Sequence, residues 1–249
     1  MYIISLCYSQ YIVSYYRYFI LYKFLEVNFF KIAKIKSDLP IMHGLFIVIE
    51  GIDCSGKSTI IRLLKKILEK TLVNNSENTN NLLQCDLGIT SIRFPDRTTG
   101  TGKILDEHLR KINILNPRTS HLVFSANRWE KEKKIIELKK DNIVLCDRYY
   151  YSGIAYTVAQ GVDVDWCKMA DRGLPKPDIL FLIDIKSDVV KDRKGFGSEF
   201  YEYEDFQTKV YEILKKVTLE DNAVLVDGSL SQEDIVEKMK DVIMNKLQK

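Results

Sequence analysis

No two cysteines of this chain are placed as a metal knuckle or a disulfide framework would need. The five of them (Cys7, Cys54, Cys85, Cys146 and Cys167) are scattered, odd in number and never spaced C-x-x-C. Such a pattern argues against a stapled or zinc-bound fold and suits a reducing compartment, so a cytoplasmic location is expected. A long apolar run is missing as well. Tyr2–Tyr16 is uncharged, but it is rich in Tyr, Ser and Gln and falls short of the roughly 20 apolar residues of a membrane span. A signal peptide would put positive charge before such a run and a small-residue cleavage site after it, and neither is there. Basic excess is absent beyond residue 41: residues 1–41 carry the whole net charge of +3. The neutral remainder has no electrostatic footprint for nucleic acid.

What is present is ordinary for a folded domain. The chain has 249 residues, 46% hydrophobic and 29% charged, enough for one sizeable α/β domain or two small ones. Residues 1–41 differ from the rest: seven of the fourteen tyrosines lie between Tyr2 and Tyr22, and no acidic residue precedes Glu26. We read 1–41 as an extension (a leader to an organelle or the nucleus, an interfacial anchor in residues 1–30, or upstream sequence, Met42 being an alternative start) and 42–249 as the folded domain.

From Gly44 onward, strand and helix patterns alternate. Leu45–Ile49, Ile143–Cys146, Ile179–Ile185 and Ala223–Val226 are short apolar runs, predicted as buried strands, and Ile89–Phe94 reads as another. Lys57–Lys70 carries apolar residues at helical spacing, Ser120–Lys139 reads as one long amphipathic helix, and a helix with Ile235, Met239, Val242, Ile243 and Leu247 closes the chain. Asn74–Asn81 reads as a loop. The expectation is an α/β fold with a parallel sheet of about five strands flanked by helices.

Gly51-Ile52-Asp53-Cys54-Ser55-Gly56-Lys57-Ser58 fits the phosphate loop G-x-x-x-x-G-K-S/T, with a strand before it and a helix beginning inside it. Glycines let successive N–H groups turn inward, and the helix N-terminus adds partial positive charge for a β-phosphate. Lys57 would bridge the β- and γ-phosphates of ATP, Ser58 would hold Mg²⁺, and Thr59 belongs to the same loop-to-helix junction. Asp147, at the carboxyl end of the strand Ile143–Cys146, stands where open α/β sheets bind ligands and could orient the ion's water shell. An Asn-Lys-x-Asp guanine reader, expected of a GTPase, does not occur.

Four segments, FPDRTTGTGKIL, HLVFSANRWE, CDRYYYSGIAYT and WCKMADRGLPKPD, resemble successive landmarks of eukaryotic-type thymidylate kinases, P-loop nucleoside monophosphate kinases. The likeness runs from about Gly44 to the C-terminus and implies ATP- and Mg²⁺-dependent phosphorylation of dTMP to dTDP, on the way to dTTP. From the residues alone, Phe124 and Arg128 share a helix face, four apart, and suit a stacked base with a cation at its edge; core packing and a surface salt bridge are the bland alternatives. The resemblance casts Phe124 as the base-stacking ring and Arg128 as the thymine partner. Arg97 and Arg148 it places on the acceptor phosphate, where guanidinium forks match phosphate oxygens. It makes Phe94, Ser152, Gly153 and Tyr156 walls of the pocket, Asp53 the contact to the sugar 3′-hydroxyl and an aid in catalysis, and Asp227–Ser231 an adenine loop; Ser231 also reads as a helix N-cap.

Residues 193–202 resemble the family's short mobile lid. Arg193 would neutralise charge on the transferred phosphoryl group, and Tyr201 with Glu202 would close over the acceptor. One position departs from the family: Cys54 stands where eukaryotic-type members usually carry a basic residue, leaving Arg193, with Lys194, to supply that charge. The resemblance also implies a homodimer. The rival readings are a kinase for dUMP, dGMP or a deoxynucleoside, and an ATP-binding module with impaired turnover.

Overall fold

The computed structural model describes residues 43–78, 87–190 and 199–248. Five strands form one parallel sheet in the order β2-β3-β1-β4-β5, which are Gly88–Arg93, Asn142–Asp147, Leu45–Glu50, Ile179–Asp184 and Val224–Asp227. The central strand β1 (LFIVIE) is buried along its whole length, as expected where both faces are covered. It pairs with β3 on one side (Ile47 opposite Leu145) and β4 on the other (Ile49 opposite Phe181).

Helix α1 (Lys57–Asn78) follows β1; α2 (Gly100–Leu109), α3 (Pro117–Trp129) and α4 (Glu132–Leu138) lie between β2 and β3. Next come α5 (Tyr150–Val158) and α6 (Val164–Ala170), then α7 (Ser187–Val190) and α8 (Glu204–Glu220), and finally α9 (Gln232–Leu247). Several starts are set by side chains that satisfy otherwise orphaned amides. Asn116 accepts from Thr119 N with Pro117 in the first turn of α3, Thr99 from Gly102 N, Asp163 from Trp166 N, and Ser231 from Asp234 N.

The sheet's carboxyl edge is its most informative feature. Each strand ends on an ionisable residue, namely Arg93, Asp147, Glu50, Asp184 and Asp227. Because all pairings are parallel, these ends share one rim, the side on which open α/β sheets take ligands.

Three expectations need correction. The stretch read as one helix over Ser120–Lys139 is two, α3 and α4: Lys131 N bonds Arg128 O, a tightened last turn, and Lys131 Nζ is drawn 2.6 Å from Asp96. No breaker residue marks that break, so tertiary contacts impose it. Helix α1 continues to Asn78, through much of the expected Asn74–Asn81 loop, because adding turns to a formed helix is cheap; residues 79–81 lie outside the described segments, as does the extension 1–41. The last strand is not buried: β5 sits at the sheet edge with Leu225 exposed and only Val226 buried.

Candidate active site

A cleft of about 700 Å³ opens on the carboxyl rim and is lined by Lys57, Arg97, Arg128 and Arg148 together. The phosphate loop forms one side. Its backbone enters the left-handed region at Cys54 (φ 56°) and Gly56 (φ 94°) before α1 begins. Glycine adopts such angles freely, whereas Cys54 does so against its side chain. Lys57 is buried and donates to Ile52 O at 2.6 Å and Ser55 Oγ at 3.1 Å. Burial, helped by the Arg148 charge, pushes its ammonium down to about 8. Ser58 Oγ donates to Asp147 Oδ2 at 2.9 Å, so the two residues expected at a metal are neighbours. A hydroxyl beside a carboxylate at a phosphate loop suits Mg²⁺, a hard cation bound largely through water and phosphate oxygens. Among the described residues no group of three or more His, Cys, Asp or Glu side chains offers a cage of another kind.

Asp53 lines the cleft from the phosphate loop. Its Oδ1 accepts from Arg148 at 2.5 Å, and its Oδ2 accepts from Tyr156 Oη at 2.7 Å and Gln207 Nε2 at 2.8 Å. Burial alone would raise its pKa, but Arg148, Lys57 and these donors outweigh burial and hold it below the usual value. Arg148 also donates to Gly51 O and Ser152 Oγ, both at 3.0 Å. It sits at φ 65°, a costly conformation for a long side chain that such bonding can sustain. Its guanidinium lies 5.5 Å from the Tyr156 ring centre.

The neighbouring groups come from several elements. Arg97 donates to Asp106 at 2.8 Å and to Glu199 at 2.5 Å. Phe94, buried just past β2, packs its ring 5.7 Å from that of Tyr149. Phe124 is half-buried on the cleft wall. Tyr201 is buried, bonds His108 Nε2 at 2.9 Å and stacks on Phe206 at 5.4 Å; it lines the cleft. Arg193 lies outside the described residues. Cys54 keeps a neutral thiol, since burial and the nearby Glu202 and Asp53 raise its pKa; it supplies no positive charge.

Arg128 is not the surface salt bridge that stood as its bland alternative. It is buried on α3 and held by Asp171 through two bonds, Nε to Oδ1 at 2.9 Å and a terminal nitrogen to Oδ2 at 2.7 Å. Removing one partner from such a pair costs about 3–5 kcal/mol, because the other charge is left uncompensated. Gly153 is explained by the same pair: a Cβ there would meet the guanidinium nitrogens at 2.8 and 3.0 Å.

Reading the sequence missed Glu50, Gln207 and Asp171. Glu50 ends β1 fully buried, accepting from Tyr149 N at 2.8 Å and from Ser152 N at 3.2 Å and Oγ at 2.5 Å. Burial raises its pKa against the lowering pull of Arg148. A carboxylate closing an otherwise apolar strand was the available signal. Gln207 offered none, since its role depends on how α8 lies beside the phosphate loop.

Comparison with known proteins agrees with the geometry. Residues 49–239 match the family model described as thymidylate kinase. The chain is 36% identical to the thymidylate kinase of Dictyostelium discoideum, over 84% of this chain and 89% of that protein. It is 39% identical to that of Plasmodium falciparum over 77% and 86%, and 36% identical to that of Homo sapiens over 80% and 89%. A solved thymidylate kinase from Candida albicans superposes with a TM-score of 0.69 at 33% identity, covering 83% of this chain and 94% of that one. With a phosphate loop and an arginine-lined pocket on one rim, and this likeness along most of its length, the chain belongs to the thymidylate kinase family.

Proposed function

We propose that this protein transfers the γ-phosphoryl group of ATP to dTMP, forming dTDP and ADP, within a kinase domain spanning 42–249. The observation that carries the reading is one cleft lined by Lys57 together with Arg97, Arg128 and Arg148; two phosphate-bearing substrates can meet there.

Gly51–Thr59 cradles the donor phosphates through backbone N–H groups, and Lys57 bridges the β- and γ-phosphates. Ser58 and Asp147 would hold Mg²⁺, which when bound neutralises charge between those phosphates. Phe124 stacks on the base, and Arg128 donates to its edge. Arg97 and Arg148 grip the acceptor phosphate, Asp53 accepts from the 3′-hydroxyl, and Phe94, Ser152, Gly153, Tyr156 and Tyr201 complete the wall. An acceptor phosphate oxygen attacks the γ-phosphorus while the bond to the β-phosphate oxygen breaks. That oxygen needs no strong base, so positioning and charge neutralisation supply most of the acceleration. Arg193 is proposed as the neutralising cation, since Cys54 carries none. Homodimerisation is carried over as part of the same reading, with sedimentation as its check.

Steady-state rates with dTMP, dUMP, dGMP and thymidine test the assignment. The expected order puts dTMP first, with a preference over dUMP of about 10- to 200-fold for one methyl group. The Candida albicans relative is noted for broad substrate specificity, which makes the panel, rather than one acceptor, the informative measurement. ATP binding without ADP release on adding dTMP would favour the module with impaired turnover, to which Cys54 points; a faster rate with another acceptor would replace dTMP.

A further inference from the structure

Resting on the reading of Arg128 as an acceptor contact, we propose that Asp171 is a positioning residue that fixes the Arg128 guanidinium in the acceptor pocket. The side chains of both are almost wholly buried, 2% and 3% exposed. Arg128 lines the large cleft, and Asp171 does not. Any effect of Asp171 on the acceptor therefore passes through the arginine.

The two parallel bonds to Nε and a terminal nitrogen set the plane of the guanidinium. A guanidinium has five N–H groups in a rigid fork, so two are spent on Asp171 and three are directed by that choice. Gly153 closes on the same group.

Packing alone would not hold this geometry. Asp171 lines a second cavity of about 460 Å³, along with Tyr150, Tyr151, Leu174 and Lys176. Space therefore lies beside this residue, and without the carboxylate's charge the always-protonated arginine would turn to other acceptors. The carboxylate is itself located by the helix that carries the arginine. Ser125 Oγ and Trp129 Nε1, both on α3, donate to Ala170 O at 2.9 and 3.0 Å. Helix α3 thus anchors the turn that orients its own side chain.

The test is a double-mutant cycle read as kcat and KM for each substrate. Asp171→Asn is expected to raise KM for dTMP about tenfold or more, as loss of a charge-assisted fork should, with KM for ATP within about twofold of the parent. Asp171→Glu should recover part of the loss. Arg128→Met should raise KM for dTMP similarly, and adding Asp171→Asn to Arg128→Met should cost nothing more. That double variant also removes the buried unpaired charge, so it serves if Asp171→Asn does not fold. An unchanged KM for dTMP in Asp171→Asn, or a further rise of equal size in the Arg128→Met background, overturns the inference and leaves Arg128 as an acceptor contact. A normal KM for dTMP in Arg128→Met instead removes the reading on which it rests.

Discussion

The two sides of the cleft are built on opposite plans. In the proposed reading the donor phosphates fall to one unbroken stretch, Gly51–Thr59, in which backbone N–H groups predominate and Lys57, Ser58 and the nearby Asp147 are the chief side chains. The proposed acceptor side is gathered from the segment after β2 (Phe94, Arg97), from α3 (Phe124, Arg128), from the junction of β3 with α5 and α5 itself (Arg148–Tyr156), and from Tyr201 before α8. Several of its side chains are held by partners outside the pocket, Asp106 for Arg97, Asp171 for Arg128 and Gln207 for Asp53, while Glu199, which also holds Arg97, lines the pocket itself. Backbone recognition survives most substitutions but depends on one register. Side-chain recognition tolerates shifts of register but fails wherever a supporting partner is lost. The two meet at Asp53, a residue of the loop whose carboxylate belongs to the acceptor side.

If the sides are this separable, Lys57→Ala should remove the largest share of activity. We expect kcat to fall by about 10³-fold, the scale set by losing one preorganised charge at the reacting phosphoryl, with KM for dTMP nearly unchanged. Equal damage to KM for dTMP would show that the lysine also organises the acceptor side, as its field on Asp53 would allow.

A smaller effect should separate the sides by pH. The Lys57 ammonium, held down near 8 in the free protein, is charged below that pH and loses its proton as pH rises through it. ATP binding, which uses the charged form, should be constant at lower pH and weaken roughly tenfold between about pH 7.5 and 9. Calorimetric titration of the free protein with ATP measures it. Affinity that stays flat across this range would mean that Lys57 is not the donor-side cation.

The same division explains what the sequence revealed. The phosphate loop and the strands around it were legible because spacing carries them: the apolar run Leu45–Ile49 of β1, a fixed motif, then helical periodicity in α1. Roles for Phe124, Arg128 and Arg148 rest on resemblance, since a lone Phe or Arg is consistent with several fates; the structure adds that all three line one cleft. Asp171 lies inside the segment WCKMADRGLPKPD, but nothing local tells a turn aspartate that pairs at 2.7 Å from one that faces water. Gln207 stands 154 residues from Asp53, and no sequence period reaches that far. The break between α3 and α4 was hidden for a related reason: Asp96 and Ala170, which hold its residues, belong to other parts of the chain.

The smallest predicted effect probes the acceptor side through packing alone. Gly153 sits inside α5, where glycine costs roughly 1 kcal/mol relative to alanine. On helix propensity, Gly153→Ala should therefore stabilise the protein. The added methyl, however, would lie 2.8 to 3.1 Å from the Arg128 guanidinium. A free arginine tip would step aside at little cost, but this one is tied to Asp171 by two bonds. The propensity gain and the steric strain should nearly cancel in Tm, leaving KM for dTMP raised by about three- to tenfold, since overpacking costs of order 1–3 kcal/mol. KM for ATP should not move. A clear rise in Tm with unchanged KM for dTMP would show that Arg128 yields freely, and that the acceptor side is as tolerant as the backbone cradle opposite.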